Sequence, residues 1–542
     1  MQSIIDRFLR FLPLIVTKCG KSKLTFTTMF KMNHNKISIV IFIIIIIGGL
    51  YNISHFLLYK YIPFVDHPSH LLRANIICNY NNPEYEYYKY FSLSLLPKPN
   101  ILTDYLTAAL ARFMPIDYAG KVMWSIIIFL FPMSVWFFIR QISPSNEIWS
   151  LFTLSLVWSS FVGWGNQNFC FGSCLVFIFW GLLAKWDGHF KIQTVLLLMG
   201  FMTILYLCHI LAFLLGGLGV FSHIFISGFR SIRNWLIHSL IVMPGLIMLF
   251  ILFAFSWYFR LGPFLPIRYD STPISSNISA GYKFEAITAS ITPLGFPYSY
   301  NLFWKIVCLL LFSFVIYRVI LSMKKKIYFP SLIVLISLIV FIFLPNPFFF
   351  FNPDRRILWI AVITSLILFP KVRLKYSILI FFICIISHII INFNVAKWFK
   401  DVEKQLTHTE KIFSTFPKRL RLAYIGDQHF AWGYLHRAFE YYHIRYGGIG
   451  MHHIIGWENS VQYKNKRSPT SAIYEFGPKY LVSWLNDYDG ILVVAQPHYP
   501  KARQVIQVLI QKNYRLFSQL PFALLLHPDY YANHFLHPKN NY

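Results

Sequence analysis

Asp66, His67 and His70 stand together in the stretch 63–70, a polar run that follows directly on a long apolar segment. A carboxylate with two imidazoles supplies the groups that general acid–base chemistry uses, and the same set could hold a divalent ion. Pro68 is the favoured first-turn residue of a helix, so Asp66 falls near the N-cap and His70 one turn on. Asp66 therefore has two readings. Either it accepts a proton from an attacking hydroxyl while a His positions charge, or it caps the helix and does nothing else. Glu84, Glu86, Asp104 and Asp117 follow in the same loop and could bring a second carboxylate.

Four arginines and one further histidine could act on an anion where membrane meets water, the Arg fork being suited to phosphate. Arg355 and Arg356 follow a Phe-rich run at 346–352, Arg73 lies three residues beyond His70, and Arg268 lies in a later loop. His209 interrupts an apolar run, where an ionisable side chain is a candidate for function. Each has a plainer reading as an interfacial anchor or a packing residue. His429, His436 and His443 recur every seven residues and are too far apart for one ion. Gly447, Gly448 and Gly450 follow a helix rather than a strand, which fails the context of a dinucleotide-binding loop. Seven cysteines, mostly inside apolar runs, imply no disulfide framework.

The elements that must position these residues are membrane helices. Of 542 residues 56% are hydrophobic and 13% charged, and Lys plus Arg outnumber Asp plus Glu by 49 to 21. That balance is expected of short basic loops and lipid headgroups, and excludes a nucleic-acid groove, which would interleave clustered basic residues with aromatics. Apolar runs at 37–59, 119–139, 148–164, 169–186, 235–258, 302–322, 328–345 and 376–393 read as spans, with 357–369 as a short one. The run 194–226 would be about 50 Å long as one helix, too long for one crossing, and reads as two helices broken near His209.

About eleven spans result. Alternate connections, at Arg140, 185–191, 230–233, 324–326 and 371–375, are then all basic, which places them with the amino terminus in the cytoplasm. Residues 1–36 read as a cytoplasmic leader and 37–394 as the transmembrane domain. The loop 60–118, the link 163–168, His209, the loops 259–301 and 346–356 and everything after about 395 share the other side. Residues 395–542 are richer in charge and read as a small α/β domain, with strands at 421–425, 480–484, 490–494 and 523–526 and helices at 430–446 and 499–512.

A long outer loop that opens on an acidic residue after the first span, many further spans and an outward soluble C-terminal domain resemble the C-type (GT-C) membrane glycosyltransferases. Asp66, Pro68 and His70 are similar to the opening of that loop in a poorly characterised bacterial subset, as are Asn168, Phe169, Phe171 and Gly172, and His209 with Ala212. The resemblance covers about residues 37–393. It implies an α-helical polytopic GT-C-like protein of the plasma (inner) membrane that moves a sugar from a polyprenyl-phosphate donor to an extracytoplasmic glycan, lipid or protein acceptor. Membrane lipids are its other partners and nucleic acid is not one. Asp66, His67 and His70 would be catalytic, and Arg73, His209, Arg268, Arg355 and Arg356 would bind substrate. Many relatives carry two acidic residues in this loop where Asp66 stands without an adjacent one, so a divalent metal is left open and the sequence fixes no cofactor. A transporter or flippase for a lipid-linked saccharide, and a non-catalytic membrane subunit of the same fold, are the alternative readings.

Overall fold

In lipid every backbone amide needs a partner inside the protein, which leaves an apolar run little choice but the helix. The computed structural model describes residues 34–94, 96–186, 190–227, 232–258, 313–322, 328–343, 353–372, 374–426, 438–450, 461–463, 488–495 and 499–536. Most of the leader 1–36, Arg268 with the loop 259–301, the run 346–352, the strand at 480–484 and His429 and His436 lie outside the described residues.

Among the described residues five helices are long and apolar enough to cross a membrane: Lys36–Leu58, Ile116–Ile142, Gln167–Lys185, Ile232–Ala254 and Tyr376–Phe413. Ile192–Cys208, Ile210–Ile226, Ser313–Ser322 and Phe329–Phe343 are shorter apolar helices. The protein is a mostly helical, membrane-embedded chain. Its helices in order are α1 (His34–Leu58), α2 (His67–Cys78), α3 (Leu102–Leu110), α4 (Ile116–Ile142), α5 (Gln167–Lys185), α6 (Ile192–Cys208), α7 (Ile210–Ser227) and α8 (Ile232–Tyr258). After these come α9 (Ser313–Ser322), α10 (Tyr328–Phe343), α11 (Pro353–Ser365), α12 (Leu374–Phe413), α13 (Ala438–Tyr446) and α14 (Pro500–Gln511). Ile39, Ile43 and Leu50 of α1 and Leu379, Phe382 and Ile386 of α12 are exposed, as lipid-facing stripes require, while Trp124, Trp158, Trp180 and Trp359 fill the interior.

The run 194–226 is divided as its length demands, with His209 in an extended conformation (φ −166°, ψ 134°) between α6 and α7. The run 148–164 differs from expectation, for it is not one helix. It folds as a 3₁₀ segment, Pro144–Phe152, and two short helices, Thr153–Leu156 and Ser160–Trp164. Hydropathy alone reads it as a span, but α1 supplies partners for its broken backbone. Asn52 donates to the Leu154 carbonyl at 3.1 Å and accepts from Trp158 Nε1 at 2.9 Å. The short span expected at 357–369 is α11 followed by a 3₁₀ turn, Leu366–Leu368, and Asn146 donates to the Ile367 carbonyl within the turn at 2.8 Å and to the Phe369 carbonyl just after it at 2.9 Å.

Contacts sort the connections into two ends. At one, Lys60 after α1 pairs with Glu410 of α12 at 2.7 Å, Asp117 at the start of α4 pairs with Arg445 at 2.7 Å, and Arg356 of α11 meets His209 at 2.7 Å. At the other, Asn146 binds the chain after α11, and His223 of α7 bonds His238 of α8 at 2.9 Å.

Helix α12 has 40 residues and is about 60 Å long, roughly twice the hydrocarbon thickness, so its C-terminal part leaves the apolar layer. It leads into a five-stranded sheet built from β2 (Arg421–Gly426), β3 (Ile449–Gly450), β5 (Gly490–Val494), β6 (Arg515–Leu516) and β7 (Phe522–Leu526) in the order β3-β2-β5-β7-β6. Strands β2, β3 and β5 are parallel, and β7 is antiparallel to β5 and β6. The loop 60–118 joins this unit directly. Strand β1 (Phe91–Leu93) pairs antiparallel with β4 (Val461–Tyr463), and Leu71, Leu72 and Ile76 of α2 share a buried cluster with Tyr441 and Ile444 of α13.

Asn52→Leu leaves the Leu154 carbonyl and the Trp158 indole unpaired in an apolar interior. A loss of about 2–5 kcal/mol is expected, read as lower thermal stability of the purified protein.

Candidate functional site

Helix α2 begins as the sequence predicts, with Pro68 in its first turn and Asp66 at its N-cap. The capping bond is not made. Asp66 takes helical angles (φ −88°, ψ −4°) and its side chain makes no capping hydrogen bond to α2. Its backbone is held instead by the link before α5. Val65 N donates to the Gly163 carbonyl at 3.1 Å and Asp66 N to Trp164 at 2.9 Å. Gly165, at φ +78°, lies so close that a Cβ there would stand 2.9 Å from Asp66 N and 3.0 Å from His67 N.

One turn along α2, His70 Nδ1 stands 2.9 Å from Oδ1 of Asp104, a residue 34 positions away on α3. Arg73 donates to the same carboxylate through Nε at 2.7 Å and through a terminal nitrogen at 3.2 Å. Burial alone would raise the Asp104 carboxyl, but the charge of Arg73 and the hydrogen bond from His70 outweigh it and hold it below the usual carboxylate range. Burial and the neighbouring Arg73 push His70 down, against the opposing pull of Asp104 and Asp66. The pair is thus a carboxylate beside a neutral imidazole. Arg73 is fully buried and committed to Asp104, which makes it part of the frame rather than a cation reaching for a ligand.

His67 faces elsewhere. Its Nδ1 accepts from Trp124 Nε1 at 3.2 Å, and its ring lies where Gly120 of α4 leaves room, since a Cβ there would be 2.8 Å from His67 Cε1. Burial, then the neighbouring His70 and Lys121, lower it to about 3. Among the described residues no three His, Cys, Asp or Glu side chains gather as an ion site.

The same link that holds Asp66 also holds Arg356. Asn166 Oδ1 accepts from one terminal nitrogen of Arg356 at 2.8 Å, the other meets His209 Nε2 at 2.7 Å, and the guanidinium lies 5.2 Å from the centre of the Phe169 ring. Arg356 is 7% exposed, and among the described residues no carboxylate pairs with it; Asp66 acts on it through space. His209 is supplied with donors on both sides, because Leu211 N reaches its Nδ1 at 3.0 Å. A neutral imidazole has one acceptor nitrogen, so one of these two donors goes unanswered.

The motif residues of the sequence meet here. Phe169 packs edge-on to His209 at 5.5 Å, and Gly172 lets α5 approach α7 so closely that a Cβ would lie 2.7 Å from that of Ala212. Asn168 accepts from Thr103 N at 3.0 Å and donates to the Asn100 carbonyl at 2.9 Å, which ties the link to the start of α3 and hence to Asp104. Arg355 is half-buried at the start of α11 beside Arg356. Glu86 and Asp117 are spent on ion pairs with Lys89 and Arg445. Asp104 is the one member of the loop's acids that joins α2, and only its place in the first turn of a helix marks it in the sequence.

No protein-family model matches the chain, and no curated protein or solved structure matches it.

Two measurements check this geometry. Gly165→Ala forces a side chain into a left-handed conformation and against the Asp66 amide, and should cost on the order of 1–3 kcal/mol of stability. The lowered His67 gives a pH signature: between about 6.5 and about 3 the unfolded chain binds a proton that the folded site refuses, so stability falls as pH falls through that window. His67→Gln, which keeps an acceptor for Trp124, should flatten the slope in thermal unfolding; an unchanged slope would show that His67 does not contribute.

Proposed function

We propose that the protein is a glycosyltransferase of the plasma (inner) membrane that moves a sugar from a polyprenyl-phosphate donor to an acceptor outside the cytoplasm. The observation that carries this reading is one link with two charges. The segment from Gly163 to Asn166 fixes both Asp66, whose side chain makes no capping bond to α2, and the buried guanidinium of Arg356, which among the described residues pairs directly with no carboxylate. A buried cation whose partners are a neutral imidazole, an amide oxygen and an aromatic face is under-compensated, and an anionic phosphate would supply what is missing. The unanswered donor at His209 favours the same occupant.

In this reading the acceptor hydroxyl gives its proton to Asp66 as its oxygen bonds to the anomeric carbon. The bond from that carbon to the phosphate oxygen breaks, and the electron pair stays on the carrier phosphate beside Arg356. A single displacement inverts the anomeric configuration. The finer architecture belongs to the same proposal: about eleven spans in a GT-C-like arrangement, a cytoplasmic amino terminus, and the loop 60–118 with the C-terminal α/β unit on the outer face. The packing of α2 against α13 and of Lys60 against Glu410 supports placing loop and unit on one side.

A transporter or flippase has one observation in its favour, the interruptions at His209 and within 144–164, since broken helices near a binding site are common in transporters. Purified protein with a synthetic polyprenyl-phosphate sugar separates the two, because only a transferase releases the carrier phosphate. Asp66→Asn should reduce transfer by at least 10²-fold at unchanged thermal stability, and Arg356→Lys should weaken donor binding roughly tenfold. Full activity in the Asp66 variant removes that residue from the mechanism.

A further inference from the structure

Resting on the transferase reading, we propose that Asp104 is a positioning residue: clamped by Arg73, it fixes His70 as the Nδ1–H tautomer, so that Nε2 accepts a hydrogen bond from a hydroxyl of the donor sugar beside Asp66. The tautomer follows from the groups around Nδ1. That nitrogen stands 2.9 Å from Asp104 Oδ1 and 2.7 Å from a terminal nitrogen of Arg73. A lone pair on Nδ1 would face a carboxylate at hydrogen-bond distance, which is repulsive. A proton on Nδ1 gives a charge-assisted bond instead. A proton on Nδ1 takes away the lone pair that the Arg73 nitrogen meets at 2.7 Å, and that nitrogen must donate to Asp104 Oδ1 at 3.2 Å instead; the carboxylate, which can only accept, is what selects the Nδ1–H form.

With the single proton of a neutral ring on Nδ1, Nε2 carries a lone pair. Among the described residues no hydrogen bond reaches Nε2, and the His70 side chain keeps 10% exposure while Asp104 is wholly enclosed. Asp66 lies one turn back along the start of α2, close enough for its charge to act on His70. A neutral acceptor one turn from a carboxylate suits a ligand that presents hydroxyl donors, which a sugar ring does, whereas an anion is better served by Arg356. The other imidazole of the loop is not available for this, since His67 Nδ1 is taken by Trp124 and its ring is packed on Gly120.

The test uses the full-length protein with ¹⁵N-labelled histidine. In wild type the His70 signal should show a protonated Nδ1 and an unprotonated Nε2; D104N should reverse or mix the two. In transfer assays with radiolabelled synthetic polyprenyl-phosphate hexoses and pentoses and a membrane lipid extract as acceptor, D104N and H70Q should each raise the donor KM roughly tenfold. Adding D104N to H70Q should change it less than twofold, because Asp104 acts through the imidazole. A merely structural Asp104 would cost the same in both backgrounds. A wild-type ring protonated on Nε2, or fully additive effects, overturns the proposal. If D104N does not fold, the wild-type spectrum still decides the tautomer, and D104E, which keeps a charge on Arg73, should retain it. If the tautomer is as stated but no donor is turned over, the transferase reading falls together with the sugar hydroxyl, and the positioning of His70 by Asp104 stands.

Discussion

Backbone amides freed where a helix stops inside an apolar layer must find partners, and this constraint organises the whole site. The chain interrupts its helices at the link 163–168, at His209 and before α3, and the interruptions satisfy one another. Asp66 N and Val65 N take the carbonyls of the link, Ile101 N takes the Leu207 carbonyl at 3.2 Å, and Thr103 N takes the Asn168 side chain. A break left by itself would leave several kcal/mol of unmade hydrogen bonds in a buried interior. Gathering the breaks removes that cost and brings Asp66, His70, Asp104, His209 and Arg356 to one end of the helices, although they are scattered over the sequence.

What could be read from the sequence was local. The membrane class followed from composition, the division at His209 from the length of an apolar run, and the strands read at 421–425, 490–494 and 523–526, found at Arg421–Gly426, Gly490–Val494 and Phe522–Leu526, from short apolar runs between turns. The start of α2 followed from Pro68. Pairings across long separations were not legible. Asp104 reaches His70 over 34 positions and Arg356 reaches His209 over 147, and neither distance leaves a mark on local pattern. The segment 148–164 misled for a related reason: its hydropathy is that of a span, and only Asn52, 102 positions from Leu154, makes its broken backbone tolerable. Which side chain of the acidic loop would matter was likewise decided by which helix packed beside α2.

Electrostatic roles divide along the same line. Arg73 and Arg445 answer carboxylates and are parts of the framework, Arg445 bridging Asp117 and Glu410 at 2.7 and 3.0 Å. Arg356 answers none among the described residues. In a chain with 49 basic and 21 acidic residues a surplus cation is unremarkable at a headgroup, but a surplus cation that is buried and hydrogen-bonded in place has been given a fixed direction.

The rod formed by α12 ties the bilayer part to the sheet with a definite angular phase. Glu410 receives Lys60 and Tyr61 from the exit of α1 and Arg445 from α13, while Val402 and Leu406, on the same helix, sit in the cluster beneath α2. A helix turns about 100° and rises about 1.5 Å per residue. One residue gained or lost between the membrane and Glu410 would therefore rotate the carboxylate to another side of the rod. The length of this helix, and not only its composition, is thus a specified quantity, in the way that the tooth count of a gear is.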